Sequence, residues 1–343
     1  MRPLATALRP YAFAVLLAVA SAVVAVSVAA SFGLPLRDPD GIAGPAYIRL
    51  PLIVVLFLAA DLLPRLLWRR RAPVRRILRE RLSPERLGLV TAGMASFYIS
   101  YVAYRNLKGA LPFARPQVRD EQLVRLDEWM AFGHDPAELL HELLGTGTAA
   151  YFLSSVYLLY LAFVPLSLGA ALVWGRSVRV GSWYVTALCL NWLLGAVSYY
   201  LVPSLGPVFV HPERYADLPE TGVSLLQESL ARARLEVLAD PSGADAIAGV
   251  AGFASLHCSV VFTAVLVAHL VGLPRIVRAA LWVFLVLTIV ATAYFGWHYL
   301  VDDVAGLLLG AVSVVIAERV TRRAGPVAGA EPEPARELER AAA

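Results

Sequence analysis

Lysine is nearly missing from this chain of 343 residues: of its 30 basic side chains only Lys108 is a lysine, and the rest are arginine. Charge as a whole is scarce, at 16% of residues, where an ordinary soluble domain carries about 25%. Cysteine is down to two, Cys189 and Cys258, both inside apolar segments. That spacing excludes a disulfide framework or a cysteine metal centre, and both read as small buried residues. The net charge of +4 does not mark a nucleic-acid binder, because the basic residues flank apolar runs instead of gathering on one polar module. Lysine-poor usage rich in arginine, alanine and valine resembles the coding of a high-GC bacterium.

What is present is hydrophobicity. Apolar residues make up 59% of the chain and fall into long runs, so the expected fold class is all-α, a polytopic membrane helical bundle. About eight transmembrane helices are expected, near 11–33, 47–67, 88–108, 149–173, 182–203, 255–272, 278–298 and 302–318. The first follows Arg2 and Arg9 but is long and lacks a cleavage signal before Arg37, so it reads as a span. Residues 1–87 then hold two helices and a basic loop, 88–320 a six-helix core, and 321–343 a disordered tail rich in alanine, proline and glutamate.

Basic residues set the expected orientation. Segment 69–86 carries eight arginines and is expected in the cytoplasm, which places both termini there. The cytoplasmic connections then hold 19 basic residues and the outer side eight, counting Lys108 at the outer end of the third span. Trp68, Trp174 and Trp183 fall at inner ends of spans and Trp297 at an outer end, as interfacial anchors do. Two outer connections, 109–148 and 204–254, contain DEQLVRLDEWM, PAELLHELL and SLLQESLARARLEVL. These are amphipathic patterns suited to helices on the membrane surface, as caps of the bundle or as a lid.

The same outer ends carry the ionisable residues. Lys108 ends the third span and Arg115 follows in KGALPFARP; His257 opens the sixth; His298 closes the seventh, with Asp302 after it. Ionisable groups in membrane segments are costly and point to function. This set suits phosphoryl transfer. Lys108 and Arg115 would hold phosphate oxygens. One histidine would attack phosphorus, with Asp302, four residues from His298, fixing its tautomer. His257 would protonate the leaving oxygen. Ser255 and the amides opening the sixth helix would add hydrogen bonds to the phosphate. His134, His141, His211 and His269 read as ordinary polar residues. Two other classes compete: a haem-binding bundle with His257 and His298 as axial ligands, and a lipid transporter that uses the cations to hold headgroups.

Lys108-x6-Arg115-Pro116, Ser255-x-His257 and His298-x3-Asp302 together resemble the three motifs of the type-2 phosphatidic acid phosphatase superfamily, over roughly residues 88–320. The resemblance implies His298 as nucleophile, His257 as acid, Asp302 as its partner, and no metal or other cofactor. The sequence departs from the usual motifs twice. Ala254 and Leu256 replace the proline and glycine of the second motif, and Ala291 and Thr292 replace the Ser-Arg of the third. Both departures, and Tyr199-Tyr200-Leu201-Val202-Pro203, resemble the inositol phosphorylceramide synthase branch. That implies a lipid phosphate substrate with an alcohol or water acceptor, at the outer face of a bacterial plasma membrane.

Overall fold

The computed structural model describes residues 9–38, 44–68, 82–175, 177–244, 246–250 and 252–323. The arginine-rich segment 69–81, Arg176 and the tail from residue 324, on which part of the orientation and the disorder expectations rest, lie outside these residues. The regular secondary structure of the described residues is all helical, with no strand among them.

The main helices are α1 (Ala12–Ser31), α2 (Ala46–Trp68), α3 (Pro84–Ala114), α4 (Asp120–Met130), α5 (Pro136–Leu144), α6 (Thr148–Val173), α7 (Val178–Leu201), α8 (Gly222–Ala239), α9 (Leu256–Leu270), α10 (Arg275–Tyr294) and α11 (Leu300–Arg323). Their starts follow local chemistry. Ser83, Asp135, Ser177 and Ser255 each accept a first-turn N–H, with proline at the opening of α3 and α5. Thr221 and Ser224 close a reciprocal capping box on α8.

Among the described residues, seven helices are long and apolar enough to cross a membrane. The eighth apolar helix, α9, has only 15 residues, about 22 Å of rise, short of the roughly 30 Å of a bilayer core. It is buried along most of its length, so protein surrounds it. The third span was expected to end at Lys108. Instead α3 runs to Ala114 with Pro112 inside it, which leaves Lys108 within the helix. Proline lacks the N–H that would bond the carbonyl four residues earlier, here that of Lys108, yet the packed neighbours keep the helix going.

At the centre stands α7, buried at every position from Gly181 to Trp192 and packed on α1, α3, α6, α9 and α11. Its Asn191 accepts from Ser259 and donates to Thr263 at 3.0 Å, which ties α7 to α9 by polar contacts inside the core. α1 packs on α3 through a stripe of Ala14, Ala18, Ser21, Ala25 and Ala29, the small residues that let membrane helices approach closely. Exposed apolar side chains line the outside: Val304, Leu308, Val312 and Val315 form one stripe of α11, at the helical spacing a lipid-facing surface requires.

Two tryptophans depart from the interfacial role expected of them. Trp183 is 6% exposed and donates from its indole nitrogen to the Val314 carbonyl at 3.0 Å, and Trp297 is 8% exposed; both are packing residues, because the helices crowd their ends. Trp174 is exposed. The three amphipathic patterns form α4, α5 and α8, which pack on α11, α10 and α6 respectively.

Candidate active site

Three groups meet where α9 begins and the α10–α11 turn ends. His298 sits in that turn, 5% exposed, and Asp302 lies in the first turn of α11, fully buried. His298 Nδ1 faces Asp302 Oδ2 at 3.3 Å, and its Nε2 faces His257 Nδ1 at 2.9 Å. An ionised carboxylate only accepts, so the shared proton belongs on His298 Nδ1. Nε2 then keeps its lone pair and accepts from His257 Nδ1–H. A bare, correctly oriented nitrogen beside a proton donor is the arrangement a covalent phosphoryl transfer requires.

The surroundings hold both rings. The Tyr157 and Tyr160 rings of α6 lie 4.9 and 4.4 Å from the His257 ring, and the Tyr160 hydroxyl donates to the Leu256 carbonyl at 3.1 Å. Trp297 stacks on Tyr157 at 5.0 Å, nearly parallel. The Tyr299 N–H donates to Asp302 Oδ2 at 3.1 Å. Gly252 presses against this carboxylate: a Cβ there would stand 3.4 Å from Asp302 Oδ2 and 2.7 Å from Ser204 Oγ. Gly296, with φ of 64°, makes the turn into His298 and carries the Tyr215 ring on its open face.

The other expected residues are placed differently from one another. Lys108 Nζ stands 5.3 Å over the Tyr199 ring, and its charge acts on both histidines. Arg115 is exposed at the end of α3, and among the described residues no contact joins its side chain to the histidines. Ser255 is fully buried and caps α9, accepting the Cys258 N–H at 3.4 Å, while its own N–H donates to the Asp302 carbonyl at 2.9 Å. Its hydroxyl is thus used inside the protein, and its backbone ties α9 to α11. Thr292 is fully buried and donates to Asp303 Oδ2 at 3.2 Å.

Residues 121–316 match a family model described as the PAP2 superfamily, over more than half of the chain. The chain belongs to the PAP2 superfamily. Comparison with curated proteins and with solved structures gave no match. Membership supports an enzyme, a lipid phosphatase in the general sense. The matched segment contains His257, His298 and Asp302 but starts after Lys108 and Arg115.

Several residues around the candidate site of this PAP2-superfamily chain were not expected from the sequence. Asp303, 2% exposed, takes the Cys258 thiol at 2.9 Å as well as Thr292. Asp127 of α4 accepts the N–H groups of Leu300 at 2.7 Å and Val301 at 3.0 Å, capping α11 from another helix. Burial pushes the Asp127 carboxyl up to about 6, against the opposing pull of those two N–H groups. Asp120 accepts from Leu205 N, Gly206 N and the Tyr299 hydroxyl at 3.0, 2.9 and 3.1 Å. Asp120 and Asp127 are seven apart on one helix, a same-face spacing that marks a buried acidic edge within an otherwise surface-like pattern.

Proposed function

We propose that this protein is a metal-independent lipid phosphatase or phosphotransferase, inositolphosphotransferase-like in its reaction, working at the extracytoplasmic face of a bacterial plasma membrane. The observation that carries the reading is the continuous chain from His257 Nδ1 through His298 to Asp302 beside the lone lysine. His298 Nε2 attacks phosphorus, and the bond from phosphorus to the leaving oxygen breaks. Protonated His257 gives that oxygen its proton, while Asp302 offsets the charge that grows on His298. Lys108 holds the phosphate oxygens. In the second half, water or an alcohol gives its proton to His257 and attacks the phospho-histidine, and the P–N electron pair returns to Nε2.

The transferase branch is supported by the motif departures at Ala254, Leu256, Ala291 and Thr292. The alternative, hydrolysis of phosphatidic acid or a polyprenyl phosphate, is supported by membership of a phosphatase superfamily. Haem ligation by His257 and His298 leaves Lys108, Arg115 and Asp302 without a role.

The test is to incubate purified protein with a panel of lipid phosphates, with and without inositol and other alcohols, and to separate free phosphate from new phosphodiester lipid. His298→Ala is expected to lose both products and to lose an acid-labile, base-stable phosphoryl adduct. A His298→Ala protein that still labels, or still turns over, removes the assignment. Asp302→Asn is expected to fold and to lose at least about a hundredfold in turnover, since tautomer control is gone.

A further inference from the structure

Asp302 and Asp303 are neighbours in the first turn of α11, and their carboxylates turn to different partners. Asp302 Oδ2 faces His298 and the Tyr299 N–H. Asp303 Oδ1 takes the Cys258 thiol of α9 at 2.9 Å, and its Oδ2 takes the Thr292 hydroxyl of α10 at 3.2 Å. Successive residues of a helix point about 100° apart, so one turn serves two directions. Asp303, Cys258 and Thr292 are all buried, and among the described residues no basic side chain pairs with Asp303.

Stability does not account for this group. A buried carboxylate without a cation gives up its hydration, and an apolar side chain of like size in its place is often neutral or better. The contacts of Asp303 lead to the histidines instead. Cys258 follows His257 in the first turn of α9. Thr292 lies in the last turn of α10, and its carbonyl accepts the Trp297 N–H at 2.9 Å and the His298 N–H at 3.4 Å. The residue that bonds Asp303 thus also holds the turn that carries His298. α9 has a second tie to α11, from the Ser255 N–H to the Asp302 carbonyl at 2.9 Å. A helix held at one point can roll about it, and a helix held at two points one turn apart cannot. The roll of α9 aims the His257 ring, whose Nδ1 stands 2.9 Å from His298 Nε2.

We propose that Asp303 is a positioning residue: by joining Cys258 to Thr292 it fixes His257 against His298, and it does so by hydrogen-bonding shape and not by charge. On the phospho-histidine reading above, on which this rests, His298 must meet phosphorus while His257 meets the leaving oxygen. A misplacement of about 1 Å between such groups costs on the order of a hundredfold in rate. Thr292 has other places for its proton, since its hydroxyl also lies 3.0 Å from the Thr288 carbonyl and 2.9 Å from that of Ile289. In Asp303→Asn the amide can therefore donate to the Thr292 oxygen and accept from the Cys258 thiol, which keeps both joints. In Asp303→Leu the space stays filled and both joints are lost.

Purified full-length protein turns over a short-chain lipid phosphate in detergent, and kcat, KM and the thermal unfolding midpoint are measured together. Asp303→Leu is expected to lower kcat at least about tenfold, with KM within about twofold and an unfolding midpoint no lower than that of the wild type. Asp303→Asn is expected to recover kcat to within about threefold of the wild type. The neighbouring Asp302→Asn, which takes a charge from His298, is expected to stay down by about a hundredfold or more. A purely structural role would lower rate and midpoint together in Asp303→Leu, and a role for charge would make Asp303→Asn as slow as Asp303→Leu. Either result overturns the proposal, as does a kcat for Asp303→Leu within about twofold of the wild type. The other end of the joint gives a check that needs no change at Asp303. Cys258→Ala is expected to lower kcat about fivefold and Cys258→Ser, which keeps a donor, to restore most of it; equal rates in both variants and the wild type overturn the proposal even where Asp303→Leu does not fold. Absence of phosphate release from every donor, or undiminished release by His298→Ala, removes the parent reading and this one with it. Normal release with Asp303→Leu unimpaired removes only this one.

Discussion

Lys108 and Arg115 are separated by seven positions of one helix and its end, yet their settings differ. Lys108 is part-buried over the Tyr199 ring, whose hydroxyl lies 3.2 Å from that of Tyr104; Arg115 is exposed. A cation held over an aromatic face near two histidines is pre-positioned for a phosphate, while an exposed arginine must first lose water and side-chain freedom to help. Lys108→Ala is therefore expected to lower kcat/KM by about a hundredfold, with Lys108→Arg restoring part of it. Arg115→Ala is expected to cost about threefold or less. Steady-state phosphate release from a soluble short-chain donor measures both, and a larger loss at Arg115 than at Lys108 would reverse their ranking. Spacing alone paired the two residues in the first motif. It carried no information on which of them the bundle buries, because burial depends on α7 supplying Tyr199.

At the scale of elements, α11 is the part that most needs support. It carries Asp302 and Asp303, begins directly after His298 and Tyr299, and takes its cap from Asp127, 173 residues away from Leu300 in sequence. Removing that cap by Asp127→Ala leaves two N–H groups unmet at the helix start and is expected to cost about 1–2 kcal/mol. Because the Asp127 value in the fold, about 6, lies above the ordinary 3.8, the folded chain holds this proton more tightly than the unfolded chain. Its contribution is fullest below about pH 4 and is lost as pH rises through about 6. Thermal unfolding across pH 4–7 is expected to show this fall in the wild type and a flatter curve in Asp127→Asn; parallel curves would remove the assignment. Another support of α11 is its contact with α9, where a Cβ at Gly306 or Gly310 would collide with the carbonyl oxygens of Ser255 and Ser259. Gly306→Leu is expected to part the two helices, separate His257 from His298 and abolish activity, read beside an unfolding curve.

The helices themselves were legible, because each is a long apolar run or an amphipathic repeat whose period survives any packing. Asp302 was legible because its partner His298 is four residues away. The cap at Asp127, the clamp at Asp120, the thiol and hydroxyl partners of Asp303 and the burial of Trp297 were not. Each depends on two segments far apart in sequence meeting at one end of the bundle, and no local pattern encodes that meeting. The short length of α9 belongs with these, since a run of apolar residues reads alike whether protein or lipid surrounds it.

For the whole molecule, the open question is which side of the membrane the His257–His298 end faces. The excess of arginine beside one set of helix ends assigns that set to the cytoplasm, which would put Glu213 outside and Leu82 inside. The chain offers a clean way to check this. Its only cysteines, Cys189 and Cys258, are both fully buried, so the unmodified protein should stay silent to a membrane-impermeant thiol reagent. Glu213 is 70% exposed as a side chain and Leu82 is 37% exposed, so each can be replaced by cysteine without opening the core. In intact cells Glu213→Cys is expected to label and Leu82→Cys is not, and permeabilisation should bring Leu82→Cys up to the same level. The opposite pattern would invert the topology and move the reaction to the cytoplasmic leaflet. Labelling of both sites in intact cells would mean that α3 does not separate them across the bilayer.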